Sequence, residues 1–245
     1  MYTKQDLLDH LSQLGIDRNG TLLVHSSMKS IGHVEGGAET VLDTLSEYME
    51  NGLLVLPTHT WSYIKADNPR FYIDESPSCV GLLTELFRKR PGVVRSWHPT
   101  HSVGALGKGA HEFVAGNEKF DTPCARESVW GKLLDHKATI LLLGVDLRRC
   151  TYIHGVEEWL DIPGRMTDEH ETLYTVLPDG TEIVVPQRRH IGHTSEKYSR
   201  VEDVFLDNDV MFKGKFGDAT VRVCDTVKMT DLLIPILKED PALFS

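Results

Sequence analysis

Apolar residues recur at helical spacing in four stretches, 4–14, 38–49, 80–89 and 226–238, and each spacing gathers them into one stripe of a helix. In the first, Leu7, Leu8, Leu11 and Leu14 share a face. The last contains Pro235, which removes a ladder hydrogen bond and predicts a bend there. Shorter apolar runs at 21–25, 53–57, 102–106 and 139–145 read as strands. Leu53-Leu54-Val55-Leu56, uninterrupted by polar residues, reads as a strand buried on both faces. Further on, 173–177 and 182–185 alternate or carry β-branched residues around Pro178-Asp179-Gly180-Thr181. There the fixed proline φ and the permissive glycine predict a hairpin.

Helices alternating with buried strands imply an α/β fold with a central sheet covered by helices on both faces. The added β-hairpin near 172–186 makes that sheet mixed. No Gly/Ser/Pro-rich linker or break in composition divides the chain, so residues 1–245 read as a single domain. A hydrophobic fraction of 40% with 25% charged residues excludes a disordered chain. No apolar run approaches membrane-spanning length, and the N-terminal stretch lacks the charged region and apolar core of a signal peptide. Cys79, Cys124, Cys150 and Cys224 lie far apart, without C-x-x-C spacing, which favours reduced thiols over a disulfide framework. The expected location is cytoplasmic. A formal net charge of −10 argues against a general nucleic-acid binder and would suit a polycationic substrate.

Chemistry is first suggested by Leu23-Val24-His25-Ser26-Ser27-Met28-Lys29-Ser30-Ile31-Gly32, followed by Gly36-Gly37-Ala38 and an amphipathic run. A strand that empties into a hydroxyl- and glycine-rich loop before a helix presents backbone N–H groups to an anion such as phosphate. The spacing matches neither G-x-x-x-x-G-K-[ST] nor G-x-G-x-x-G. A tight structural turn is the competing reading.

Three more segments follow in order: Arg95-Ser96-Trp97-His98-Pro99-Thr100-His101-Ser102, the strand Leu141-Leu142-Leu143-Gly144-Val145, and Thr151-Tyr152-Ile153-His154-Gly155-Val156-Glu157. With the first, they resemble the aminoglycoside N3-acetyltransferase family, antibiotic acetyltransferases that use acetyl-CoA, across nearly the whole chain. The resemblance implies direct acetyl transfer from the cosubstrate acetyl-CoA to the 3-amino group of an aminoglycoside. It implies a small-molecule polyamine partner, with no metal, nucleic acid or membrane. An alkylammonium has no free lone pair, so the reaction needs a base, and histidine is the side chain tuned for that near neutral pH. The resemblance gives this role to His154, in a T-x-x-H segment after the long buried strand.

The acid that would orient this base is less direct. Relatives carry a glutamate three residues before a histidine in a downstream strand region. His193 matches that histidine, which puts His190 where the glutamate belongs, and 187–195 contains no acid. Glu157, Glu158 and Asp67 are the substitutes; Glu157 would share a helix face with His154. The resemblance assigns His25, Ser26, Ser27, Met28, Lys29 and Ser30 to the pyrophosphate and pantetheine of CoA, with backbone donors contributing most. Ser96, His98 and Ser102 it assigns to the thioester and oxyanion region; a structural turn is their alternative, since Pro99 restricts His98 to an extended conformation. Where relatives show Ser-Pro before Lys-Leu, this chain reads Ser128-Val129-Trp130-Gly131-Lys132-Leu133, so the shape of the 121–126 loop is expected to differ.

Three other readings compete. His98-x-x-His101 and His190-x-x-His193 could supply imidazoles to a metal hydrolase. Cys150, four residues before His154, could be an acyl-enzyme nucleophile if its thiol pKa were depressed. A small-molecule binder with this fold and no turnover is the third.

Overall fold

The computed structural model describes residues 1–245. Its strands are β1 (Thr21–Ser26), β2 (Leu53–Pro57), β3 (Arg70–Tyr72), β4 (Val94–Arg95), β5 (Val103–Gly107), β6 (Thr139–Leu143), β7 (Glu171–Val176), β8 (Glu182–Gln187), β9 (Met211–Phe216) and β10 (Ala219–Asp225). The helices are α1 (Lys4–Gln13), α2 (Gly37–Tyr48), α3 (Leu82–Phe87), α4 (Ala110–Val114), α5 (Val129–Asp135), α6 (Thr151–Trp159), α7 (Glu202–Asp207) and α8 (Thr226–Glu239).

Seven strands form one sheet in the order β4-β5-β2-β1-β6-β10-β9. Its centre is parallel, with Leu23 of β1 in register with Val55 of β2 and Ile140 of β6. Because successive side chains alternate across a strand, each central strand feeds two cores. Leu22, Val24, Leu141 and Leu143 pack with Leu7, Leu11, Val41, Leu45 and Phe87 of α1, α2 and α3. Leu23, Ile140 and Leu142 point the other way, toward Phe113, Trp130, Ile153, Val156 and Leu233 of α4, α5, α6 and α8. Both faces are therefore covered by helices, as the uninterrupted apolar runs require.

The predicted hairpin forms as β7 and β8, but it does not join this sheet. It pairs instead with β3 in a separate three-stranded sheet. The central sheet is mixed for another reason: β5 and β10 pair antiparallel with β2 and β6 on either side of the parallel centre. The β9–β10 hairpin carries no strong sequence signal, because Lys213, Gly214 and Lys215 occupy an edge strand. Its turn needs Gly217, at φ +57°, where a Cβ would fall 2.3 Å from the Ile31 carbonyl oxygen. The helix expected over 80–89 is shortened to α3, and α8 continues through Pro235 to Glu239. The parallel strands β1, β2 and β6 end on the same side of the sheet, and the loops that follow them surround the candidate site.

Candidate active site

Strand β6 stops at Leu143 because Gly144 takes φ +70°, with its Cα so close to Ser30 that an added Cβ would lie 2.5 Å from the Ser30 Cβ. Asp146 then caps a short 3-10 turn, Leu147–Arg149, and Cys150 begins α6. Helical spacing puts His154, Glu157 and Glu158 on neighbouring positions of one face.

With His190, these side chains form two parallel histidine–glutamate pairs. His154 Nδ1 lies 2.6 Å from the Tyr198 hydroxyl, which in turn bonds Glu157 Oε2. An ionised carboxylate only accepts, so the phenol O–H donates to Glu157 and the phenol oxygen accepts from His154 Nδ1–H. That fixes the tautomer. His154 Nε2 has no protein partner, and the side chain, 17% exposed, opens onto a cavity of about 830 Å³. Glu157 is held in turn by Arg165 Nε at 2.5 Å and by the Thr194 hydroxyl at 3.2 Å. In the second pair, His190 Nε2–H donates to Glu158 Oε1 at 2.5 Å. The two imidazoles stack, with centroids 4.1 Å apart and planes 12° from parallel.

Burial, followed by the neighbouring His190, pulls the His154 pKa down to about 4, against the opposing pull of Glu157. The 3.6 Å contact between His154 Nδ1 and Glu157 is therefore not an ion pair at neutral pH. Burial acts to raise the Glu157 carboxyl, but the neighbouring His154, the hydrogen bond from Tyr198 and the Arg165 charge hold it below its ordinary range. Tyr198 is pushed well above the usual phenol value by burial and by the adjacent carboxylate, so it stays a neutral relay. The arrangement is a neutral imidazole with one free nitrogen and an anionic group behind it, as a general base requires.

The wall behind the cavity is aromatic and largely neutral. His190 meets His101 edge-on at 5.4 Å, His101 lies 4.6 Å from His59, and Trp130 packs against both His59 and His25. Burial lowers His25 to about 3 and holds His59 and His101 well below the ordinary imidazole value. Arg148, Arg149, Arg188 and Arg189 also line the cavity. Arg149 is exposed and has no carboxylate partner, whereas Arg148 pairs with Asp146 and Arg189 with Glu171.

Several expected site residues lie elsewhere. Of residues 25–30, only His25 and Ser26 line the cavity. The Ser30 hydroxyl is spent on Gly144 O (3.1 Å) and Ser27 Oγ (3.0 Å), Met28 packs into the core beside α2, and Lys29 is exposed. Ser96, His98 and Ser102 are buried and satisfied within the protein. Ser96 Oγ accepts from Val103 N–H and Asn117, and His98 Nδ1 accepts the Thr100 and His101 amides. Ser102 Oγ donates to Thr58 O at 2.9 Å, beside Arg95, whose guanidinium also donates to carbonyls of Thr58, Ile73 and Ser76. These contacts are the ones a structural turn makes, and the cavity receives Thr100 and His101 from their segment.

Asp67 does not reach His154; it stands exposed, 3.3 Å from Lys65. His193 sits exposed on the cavity rim with φ 49° and makes no contact with the base. Ser128 caps α5 by accepting from Trp130 N–H. Neither His-x-x-His pair forms a ligand set, since the His98 Nδ1 is occupied by amides and His193 stands apart from His190 on the rim. Burial pushes the Cys150 thiol up to about 12, opposite to the depressed value that the acyl-enzyme reading needs. Sequence reasoning missed Tyr198, Thr194, Arg165, His59 and Trp130; only the match of His193 to a histidine of the relatives pointed to the chain's return to the site there.

The sequence model of the family described as aminoglycoside 3-N-acetyltransferase matches residues 23–238. The chain is 28% identical to the SPbeta prophage-derived aminoglycoside N(3')-acetyltransferase-like protein YokD of Bacillus subtilis, over 94% of this chain and 90% of that one. It is 31% identical to aminoglycoside N(3)-acetyltransferase VII of Streptomyces paromomycinus, over 74% of this chain and 68% of the relative. A crystal structure of a histidine-to-alanine mutant of aminoglycoside acetyltransferase AAC(3)-IVa in complex with a gentamicin aligns with a TM-score of 0.87 at 26% identity, covering 99% and 91% of the two chains. The binary structure of AAC-IIIb with CoASH aligns with a TM-score of 0.86 over 97% of each chain; at 22% identity this likeness concerns the fold.

Proposed function

The chain belongs to the aminoglycoside 3-N-acetyltransferase family of acyltransferases, and from that premise we propose that it transfers acetyl from acetyl-CoA directly to the 3-amino group of an aminoglycoside, with His154 as general base. The observation that carries this reading is the free His154 Nε2 on the cavity, with Nδ1 tied through Tyr198 to Glu157. His154 takes the proton of the acceptor amine on Nε2 while its Nδ1–H bond to Tyr198 holds the ring in place. As the imidazole becomes cationic, Tyr198 and Glu157 present negative potential behind it. Acetyl-CoA supplies a thioester whose carbonyl oxygen gains negative charge as the C–N bond forms and the C–S bond breaks. The N-terminus of α6, where Cys150 and Thr151 line the cavity, favours negative charge at that end through the helix dipole.

The cavity suits the donor: Pro57, Val80 and Val145 give apolar wall for pantetheine, and Arg149 and Arg148 supply cations for its phosphates. Beside it lies a cleft of about 540 Å³ in which Asp161 and Asp168 face a prospective polycation. A second reading, another amine as acceptor, is favoured by Arg188-Arg189-His190 in the place where relatives carry an acid. Mass spectrometry of products from a panel of aminoglycosides and other amines decides between them. Acetylated aminoglycoside at the 3-amino group supports the first reading. Acetyl on other amines alone supports the second, and no acetylated product with any amine overturns both.

A further inference from the structure

We propose that Cys124, Glu158 and His190 form a binding site for a thiophilic divalent cation, best fitted to Zn²⁺, set against the back of the His154 ring. The Cys124 thiol, a Glu158 carboxylate oxygen and a His190 ring nitrogen lie within 4.8 Å of one another. A thiolate, an imidazole and a carboxylate are the ligand types that zinc takes, and tetrahedral binding sets ligand atoms roughly 3.5 Å apart, so Cys124 closes on the other two by about 1 Å while the hydrogen-bonded His190–Glu158 pair, now at 2.5 Å, opens by about as much.

The donors are already held from outside. Cys124 N–H donates to both Glu158 oxygens, at 3.0 and 3.1 Å, and the indole N–H of Trp159 donates to Cys124 O at 2.9 Å, so α6 grips this peptide on both sides. His190 is fixed by its stack on His154 and by a backbone bridge to Met166. Cys124 is fully buried, and the Glu158 and His190 side chains are only 5% and 14% exposed. Such outer contacts keep a ligand set together before the ion arrives. His190 and Pro123 also line the main cavity and Glu158 the adjoining cleft, which leaves a side open for entry and for water as a fourth ligand.

The balance of binding is simple. Zn²⁺ replaces the proton on Cys124 Sγ, which leaves to solvent, while the proton that His190 Nε2 now gives to Glu158 shifts to Nδ1 so that neutral imidazole is the ligand; no redox change occurs. The consequence for turnover rests on His154 being the base. A cation held on His190 puts positive charge on a ring whose centroid lies 4.1 Å from that of the imidazole that must receive the acceptor's proton, so acetyl transfer is inhibited.

The test is titration of the full chain with Co²⁺, read by thiolate-to-cobalt absorption, with Zn²⁺ as competitor. One equivalent should give the band and Zn²⁺ should erase it. Cys124→Ala should lose the band, and Glu158→Gln should weaken Zn²⁺ binding by more than the roughly 10- to 100-fold that loss of an outer-shell partner costs. Circular dichroism checks that both variants fold. Absence of the band in the natural chain, or Zn²⁺ binding retained in Cys124→Ala, overturns the site. In parallel, Zn²⁺ should inhibit turnover of the natural chain, EDTA should restore it, and folded Cys124→Ala should resist. A cobalt band without inhibition overturns the link to His154 while leaving the site, so the two failures are told apart.

Discussion

The phenol oxygen of Tyr198 lies 2.6 Å from His154 Nδ1, and it is this phenol, not a carboxylate, that the imidazole meets directly. Glu157 acts through it. Removing the hydroxyl in Tyr198→Phe leaves Glu157 held by Arg165 and Thr194 but disconnects it from the ring. We expect kcat/KM to fall roughly 10- to 100-fold, part of the roughly 10²–10⁴ that general base catalysis supplies. KM for acetyl-CoA should stay the same. Steady-state kinetics measure both.

The pH profile follows from burial. His154, held to about 4, is deprotonated over most of the accessible range, so the acid limb of kcat/KM owed to it as the proposed base should fall near pH 4 and not near 6.5. Stability carries the same sign. His25 at about 3 and His98 and His154 at about 4 stay neutral in the folded chain while the unfolded chain takes up protons below about 6.5. Stability is therefore full above pH 6.5 and falls on acidification toward 4, each such histidine steepening the loss by about 1.4 kcal/mol per pH unit in that window. Urea denaturation at pH 7 and pH 5 checks the slope.

Arg165 supports the relay and the end of the chain together. It pairs with Glu157 at 2.5 Å and also donates to Pro241 O and Ser245 Oγ. Arg165→Ala leaves a buried carboxylate short of its cation, at a cost of about 3–5 kcal/mol. Thermal unfolding should shift downward, and activity should fall in the surviving folded protein.

The hydroxyls around Arg95 separate structure from donor binding. Ser102→Ala and Ser96→Ala should each lose about 1–3 kcal/mol, because buried donors are left unpaired. Neither should raise KM for acetyl-CoA. Asp67→Asn, at an exposed turn, should change neither stability nor turnover.

What the sequence made legible was local. Uninterrupted apolar runs located β1, β2 and β6, and helical spacing placed His154 and Glu157 on one face of α6. Tyr198 was hidden because its partners lie 44 and 41 residues away and its own 3-10 segment, Thr194–Val201, is polar and short. Ser96 and Ser102 sit in a segment with a strong family likeness, but their hydroxyls meet protein groups, Ser96 with Val103 and Asn117, and Ser102 with Thr58 beside a buried Arg95 that donates to carbonyls and hydroxyls. The missing acid at 190 was resolved only by tertiary contact, since Glu157 and Glu158 serve one histidine each.

We propose that His154 is the base and that the rest of the cavity holds the donor. His154→Ala therefore tests it most directly, with thiol release followed alongside CoA affinity by calorimetry. Turnover should fall by roughly 10²–10⁴ with CoA affinity unchanged. Turnover at the natural rate in a folded His154→Ala protein would contradict it.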